Sequence, residues 1–124
     1  MEKKKTILLI DDDRDIRTLV KTILEVEGYN VVAASDGIQG IEELEKIDPN
    51  ALRAIFLDVL MPGMNGLDVL VRIKANPKTQ NVPVLVITTE GMMDKLINGY
   101  NLGASYYIPK PFTQEQLLYG LECV

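Results

Sequence analysis

Short apolar runs alternate with longer amphipathic stretches along the whole chain. "TILLI", "AIFL" and "VLVIT" are nearly continuous apolar segments, the pattern of strands buried on both faces of a parallel sheet. With two shorter segments they predict strands over Thr6–Ile10, Asn30–Ala34, Ala54–Leu57, Val84–Thr88 and Tyr106–Ile108. Between them the apolar residues recur at helical spacing. Ile16, Leu19, Val20, Ile23 and Leu24 share one face, as do Ile38, Ile41 and Leu44 in a second segment. Leu67, Leu70, Val71 and Ile73 mark a third, from Gly66 to a stop at Asn76-Pro77. Met93, Leu96, Ile97 and Tyr100 mark a fourth, and Leu117, Leu121 and Val124 the last. Gly28 and Gly103 follow helical segments where a left-handed C-terminal residue is wanted. Thr113, with Gln116 three residues on, is a fitting start for the last helix. Gly40 falls mid-helix, where it costs ~1 kcal/mol relative to Ala and predicts a soft second helix.

Alternating β and α units require right-handed crossovers, with helices on both faces of the sheet. The predicted fold is therefore one α/β domain over residues 1–124: a doubly wound (βα)5 sheet in the flavodoxin-like strand order 2-1-3-4-5. Ligands bind such sheets at the carboxyl ends of the strands. Those ends carry Asp11, Asp12 and Asp13, then Asp58, then Thr88, Thr89 and Glu90, then Lys110. Carboxylates, a hydroxyl and an ammonium would thus converge on one edge. Carboxylate oxygens suit Mg²⁺, and a lysine beside a hydroxyl suits a phosphoryl group.

Composition narrows the chemistry. The 124 residues carry no histidine, which excludes a histidine base, a Ser-His-Asp triad and any histidine metal site. With no serine, cysteine or histidine placed as nucleophile, a carboxylate is the natural acceptor. The one cysteine, Cys123, cannot form an internal disulfide and is expected to be incidental. Thirteen basic and 18 acidic residues give a net charge of −5. No basic stripe stands out, so direct nucleic-acid binding is not expected, and Lys3 to Lys5 read as a solvated tail. No apolar run nears the ~20 residues of a membrane span. The run Ile7 to Ile10 is too short for the ~7–15 residues of a signal core, so the expected location is cytoplasmic.

Each acid also has an ordinary explanation. Asp13, Asp15 and Asp36 suit helix starts, where carboxylates accept backbone N–H groups and match the dipole. Asp11, Asp13 and Asp15 imitate the opening of a calcium-binding EF-hand loop, but Ile16 and Thr22 stand where that loop needs Gly and Glu. No G-x-x-x-x-G-K-[ST] loop supports a nucleotide hydrolase. An acidic first loop would repel the phosphate of a flavin. Asp11-x-Asp13 after an apolar strand also fits a small Mg²⁺-dependent phosphatase of the haloacid-dehalogenase type with Asp11 as nucleophile, although "TTE" lacks the later acidic pair of those enzymes.

Taken together, "LLIDDD", "AIFLDVLMPGMNG", "VLVITTE" and "GASYYIPKPF" resemble the receiver domains of two-component response regulators, over essentially the whole chain. The resemblance implies that Asp58 accepts a phosphoryl group and that Asp12 binds Mg²⁺ directly, with Asp11 assisting through water. It implies that Asp58 and the backbone carbonyl of Leu60 complete the metal site. Thr88 would bond the phosphoryl group, Lys110 would pair with it, and the Lys110-Pro111 bond would be cis. Tyr107 would be the aromatic switch that follows Thr88, with a readout face around Tyr100, Tyr107 and Gln116. The implied partner is a sensor histidine kinase or phosphotransfer protein, with a downstream protein or fused output domain beyond. Catalysis would be limited to the domain's own phosphoryl transfer and dephosphorylation.

Besides the mid-helix Gly40, three positions depart from the family pattern. Tyr106 is bulky and would add aromatic surface to the output face. Pro109 lacks an N–H, which an edge strand tolerates. Thr89 is larger than usual and would narrow water access to the phosphoryl group.

Overall fold

The computed structural model describes residues 5–59, 66–89, 91–92 and 103–124. The strands are β1 (Thr6–Ile10), β2 (Asn30–Ala34), β3 (Leu52–Asp58), β4 (Val84–Thr89) and β5 (Tyr106–Lys110). All pair in parallel, in the order β2-β1-β3-β4-β5. Four helices are described: α1 (Arg14–Val26), α2 (Gly37–Lys46), α3 (Gly66–Ala75) and α4 (Gln114–Glu122). The helical pattern of Met93, Leu96, Ile97 and Tyr100 lies outside the described residues.

The period-two alternation of the strands sorts the core into two layers. Leu8, Ile10, Ile55, Leu57, Val84 and Val86 pack with Leu44 of α2 and Val69, Leu70 and Ile73 of α3. Ile7, Leu9, Phe56, Leu85, Ile87 and Ile108 pack on the other face with Val20 and Leu24 of α1 and Leu117 and Leu121 of α4. Among the described residues, no helix is long and apolar enough to cross a membrane.

Three strands run past their expected limits, because pairing continues where apolar residues stop. β3 starts at Leu52 rather than Ala54 and ends on Asp58 itself. Its register against β1 jumps from Thr6↔Leu52 to Ile7↔Ala54, leaving Arg53 as a bulged residue. Arg53 then reaches the end of α4 and the residues after it, where Nη2 donates to the carbonyls of Leu121 (2.7 Å) and Val124 (2.9 Å). β4 extends to Thr89 and β5 to Lys110, which pair with each other.

Helix caps follow the sequence closely. Asp13 accepts the N–H groups of Asp15 and Ile16, Asp36 accepts that of Gln39, and Thr113 and Gln116 form a reciprocal capping box. Gly28 and Gly103 have φ of 95° and 93°. The helical faces are narrower than expected: Leu19, Ile38 and Val71 are about half exposed, at the margins of the buried stripes. The expectation of a soft α2 needs correction. Gly40 is buried, and an added Cβ would sit 2.5 Å from Ile10 Cδ1 and 2.8 Å from Cγ1. The glycine lets α2 close onto the last residue of β1.

Candidate functional site

The carboxyl end of the sheet gathers its polar residues by strand geometry. Asp11 leaves β1 fully buried, its N–H bonded to the carbonyl of Ala34 (3.1 Å) and its Oδ1 accepting the N–H of Asp13 (2.9 Å). Asp12, the next residue in the loop after β1, is exposed. Asp58 ends β3 at 2% exposure. One carboxylate oxygen from each of Asp11, Asp12 and Asp58 falls within a 4.8 Å cluster.

Lys110, at the end of β5, closes the group from the far side. Its Nζ lies 3.2 Å from Asp58 Oδ2 and 3.5 Å from Asp11 Oδ2. The first is a hydrogen bond, the second an ion-pair distance only. Thr88 stands between them on β4: its neighbours Ile87 and Thr89 pair with Asp58 and Lys110. Thr88 is fully buried, and its Oγ1 has no hydrogen-bond partner among the described residues.

The electrostatics reflect this crowding. Burial, reinforced by the charge of Asp58, pushes the Asp11 carboxyl from 3.8 up to about 6, against the opposing pull of the Asp13 N–H and Lys110. Burial alone would lower Lys110. The charges of Asp11 and Asp58 outweigh it and hold the ammonium above its usual value. Three carboxylates against one ammonium leave excess negative charge in a largely buried site. Oxygen-only donors at this spacing fit a hard divalent cation such as Mg²⁺.

Asp11, Asp12, Asp58 and Lys110 are thus brought together, with Thr88 beside them. Asp13 is engaged as the cap of α1, and Asp15 lies exposed in its first turn. Leu60 and Tyr100 lie outside the described residues. The Lys110-Pro111 peptide is cis. Tyr107 is half-buried on the layer that holds Val86, its cross-strand partner. Tyr106 packs on the opposite layer and meets Tyr119 edge-on, with ring centroids 6.5 Å apart. Gly120 leaves room for it, since a Cβ there would lie 3.0 Å from the ring. The tyrosine pair therefore serves two faces, and Tyr106 is partly occupied against α4. Thr89 is exposed, and its hydroxyl accepts the Met92 N–H at 3.4 Å. The side chain of Gln116 accepts the N–H of Thr113.

Two contributors escaped sequence reading. Gly66 crosses directly over the backbone of Asp58, where a Cβ would collide with the carbonyl of Asp58 and Cα of Val59. Arg17, on α1, donates to the main-chain carbonyl of Asp11 at 2.9 Å. The glycine of "MNG" was a visible signal for the first, but nothing in the sequence distinguishes Arg17 from a solvated helix arginine.

Residues 7–122 match the family model of the response regulator receiver domain. This chain belongs to that family. Receivers are the phosphorylation-dependent switches of two-component signalling, and the phosphatase alternative built on Asp11 and Asp13 finds no support. The transcriptional regulatory protein CpxR of Escherichia coli K12 is 39% identical over 118 residues, covering 95% of this chain and 48% of CpxR. The chain thus spans about half the length of such curated relatives. The chemotaxis protein CheY4 of Vibrio cholerae superposes with a TM-score of 0.87 at 31% identity, covering 97% of this receiver and 98% of CheY4. The receiver domain of the sensor histidine kinase PA1611 of Pseudomonas aeruginosa PAO1 has a TM-score of 0.84 at 27% identity, with 97% and 96% covered. That structure holds a magnesium ion coordinated in its active site cleft.

Proposed function

We propose that this receiver accepts a phosphoryl group on Asp58 from a histidine kinase or phosphotransfer protein. The observation that carries the reading is the placement of Asp58: nearly buried, bonded to Lys110, and paired with the strand of Thr88, whose buried hydroxyl has no partner among the described residues. An Asp58 carboxylate oxygen attacks the phosphorus of the donor phosphohistidine. The new O–P bond forms as the P–N bond breaks, and the imidazole nitrogen leaves with the electron pair and takes up a proton. In the later hydrolysis, water attacks the phosphorus and loses a proton, the O–P bond to Asp58 breaks with its electron pair returning to the carboxylate, and inorganic phosphate departs.

Asp11, Asp12, Asp58 and the Leu60 carbonyl would hold Mg²⁺. Bound there, the cation supplies the charge neutralisation that an added phosphoryl group needs in an already acidic site. Lys110 adds a fixed ammonium on the opposite side. Thr88 turns its hydroxyl toward the phosphoryl oxygens, and Tyr107, one strand over on the same layer, follows the vacated space. Thr89 at the rim restricts water, so Thr89→Ala shortens the lifetime of the phosphorylated form.

In this reading residues 1–124 act as one cytoplasmic receiver domain. It is no metabolic enzyme: it catalyses only its own phosphorylation and dephosphorylation. Its altered face acts on a downstream protein or a linked output domain, without itself touching nucleic acid or membrane. Incubation with acetyl phosphate and Mg²⁺, read by intact mass, tests the assignment. Asp58→Asn should abolish the gain of one phosphoryl group. Acceptance by Asp58→Asn together with loss in Asp11→Asn would transfer the nucleophile to Asp11 and sink the proposal.

A further inference from the structure

Asp11 and Asp12 are adjacent in the loop that follows β1, yet the first is buried and the second exposed. Both can face one cation only if the peptide that joins them is held at a particular tilt. Asp11 itself is well anchored, through its N–H to Ala34 and its Oδ1 to the N–H of Asp13. The Asp12 carboxylate is exposed and accepts no side-chain or backbone hydrogen bond among the described residues. What holds the joining peptide is Arg17. From the second turn of α1, half-buried, its Nη1 donates to the Asp11 carbonyl at 2.9 Å.

We propose that Arg17 is a positioning residue for the divalent-cation site. By fixing the Asp11 carbonyl it sets the plane of the Asp11-Asp12 peptide, and so aims the Asp12 carboxylate into the cluster it forms with Asp11 and Asp58. The guanidinium meets a carbonyl and not a carboxylate, so its role is geometric. A second residue that orients a metal ligand typically tunes affinity by ~10–100-fold. The inference rests on reading this cluster as the Mg²⁺ site.

Arg17→Met keeps the length of the aliphatic stem and removes the donor, while Arg17→Lys restores one N–H donor at similar reach. Mg²⁺ titration by calorimetry should show binding weakened by about tenfold in Arg17→Met and largely retained in Arg17→Lys. Amide exchange without Mg²⁺ should speed up at Asp12 and Asp13 in Arg17→Met while protection across β1 and β2 persists. At saturating Mg²⁺, phosphorylation by acetyl phosphate should return to the wild-type rate. Unchanged Mg²⁺ affinity in Arg17→Met overturns the inference. So does equal impairment in Arg17→Lys, or a general loss of protection over β1 and β2, which would mark Arg17 as structural. If the wild-type protein itself fails to bind Mg²⁺, it is the metal-site reading that falls.

Discussion

Lys110 and Asp58 stand 52 residues apart in the chain, yet Nζ of one lies 3.2 Å from Oδ2 of the other. The same ammonium lies 3.5 Å from Asp11 Oδ2, so one cation balances two buried carboxylates. Its charge is among the influences that hold the Asp11 carboxyl down, against burial and Asp58. Replacing it should release that restraint. In Lys110→Met, without Mg²⁺, the Asp11 carboxyl should titrate above its present value of about 6. Carboxyl-carbon NMR across a pH series measures this directly. An Asp11 value that stays put or falls would show that Lys110 does not govern the site's charge.

Asp11 makes the metal-free fold pH-sensitive. Its carboxyl is raised from 3.8 to about 6, so the folded state holds a proton that the unfolded chain has already released. Well below pH 3.8 both states are protonated, and the group contributes nothing. As pH rises through the interval to about 6, this group's contribution becomes destabilising, and above that interval its penalty is complete. Asp11→Asn should remove that falling component from the stability profile. At pH 7 without Mg²⁺ it should stabilise the fold by an amount on the order of 1 kcal/mol, a rise of a few degrees in Tm. Conversely, the wild-type protein should bind Mg²⁺ more weakly below pH 6, where protons compete for Asp11. Thermal melts with and without Mg²⁺ decide both points, and a Tm that drops in Asp11→Asn would contradict this account.

The buried hydroxyl of Thr88 has no partner among the described residues. Leaving such a group unsatisfied costs roughly 1–3 kcal/mol, whereas an apolar group of the same shape costs nothing of the kind. Thr88→Val should therefore hold or raise unphosphorylated stability, by up to about 1 kcal/mol after the change in packing. The same substitution should uncouple Tyr107 from phosphorylation. Chemical denaturation tests the first half, and Tyr107 ring signals with and without acetyl phosphate test the second. A clear loss of stability in Thr88→Val would mean that the hydroxyl is satisfied after all.

The sheet was legible because its strands are apolar on both faces, and a parallel order leaves few other ways to bury them. The strand ends were less so. Asp58, Thr89 and Lys110 all lie within strands, because backbone pairing does not stop at the first polar side chain. Among the crowded acids, the capping role of Asp13 could be read from its place before a helix. The convergence of Asp11 and Asp58 could be inferred only from topology. Arg17 could not be found, because its bond runs to a main-chain carbonyl, which leaves no trace in residue type. Leu19, Ile38 and Val71 were over-assigned because periodicity marks a face without marking its width.

Gly40 is where local propensity and packing point in opposite directions. On an isolated helix, Gly→Ala stabilises by ~1 kcal/mol. Here the new methyl would meet Cδ1, Cγ1 and Cγ2 of Ile10 at 2.5, 2.8 and 3.3 Å. Ile10 is fully buried and branched at Cβ, so it cannot turn away from all three contacts at once. α2 would have to lift from the end of β1, next to Asp11. Overpacking of this kind costs about 1–3 kcal/mol, enough to outweigh the helical gain. Gly40→Ala should therefore destabilise the fold by about 1–2 kcal/mol, with the loss concentrated in α2 and the end of β1. Adding Ile10→Val, which deletes Cδ1, should recover part of that loss, so the two changes will not be additive. Urea denaturation of the single and double variants measures the coupling. If Gly40→Ala is the more stable protein, the glycine is a propensity defect after all, and the close approach of α2 to β1 is not what retains it.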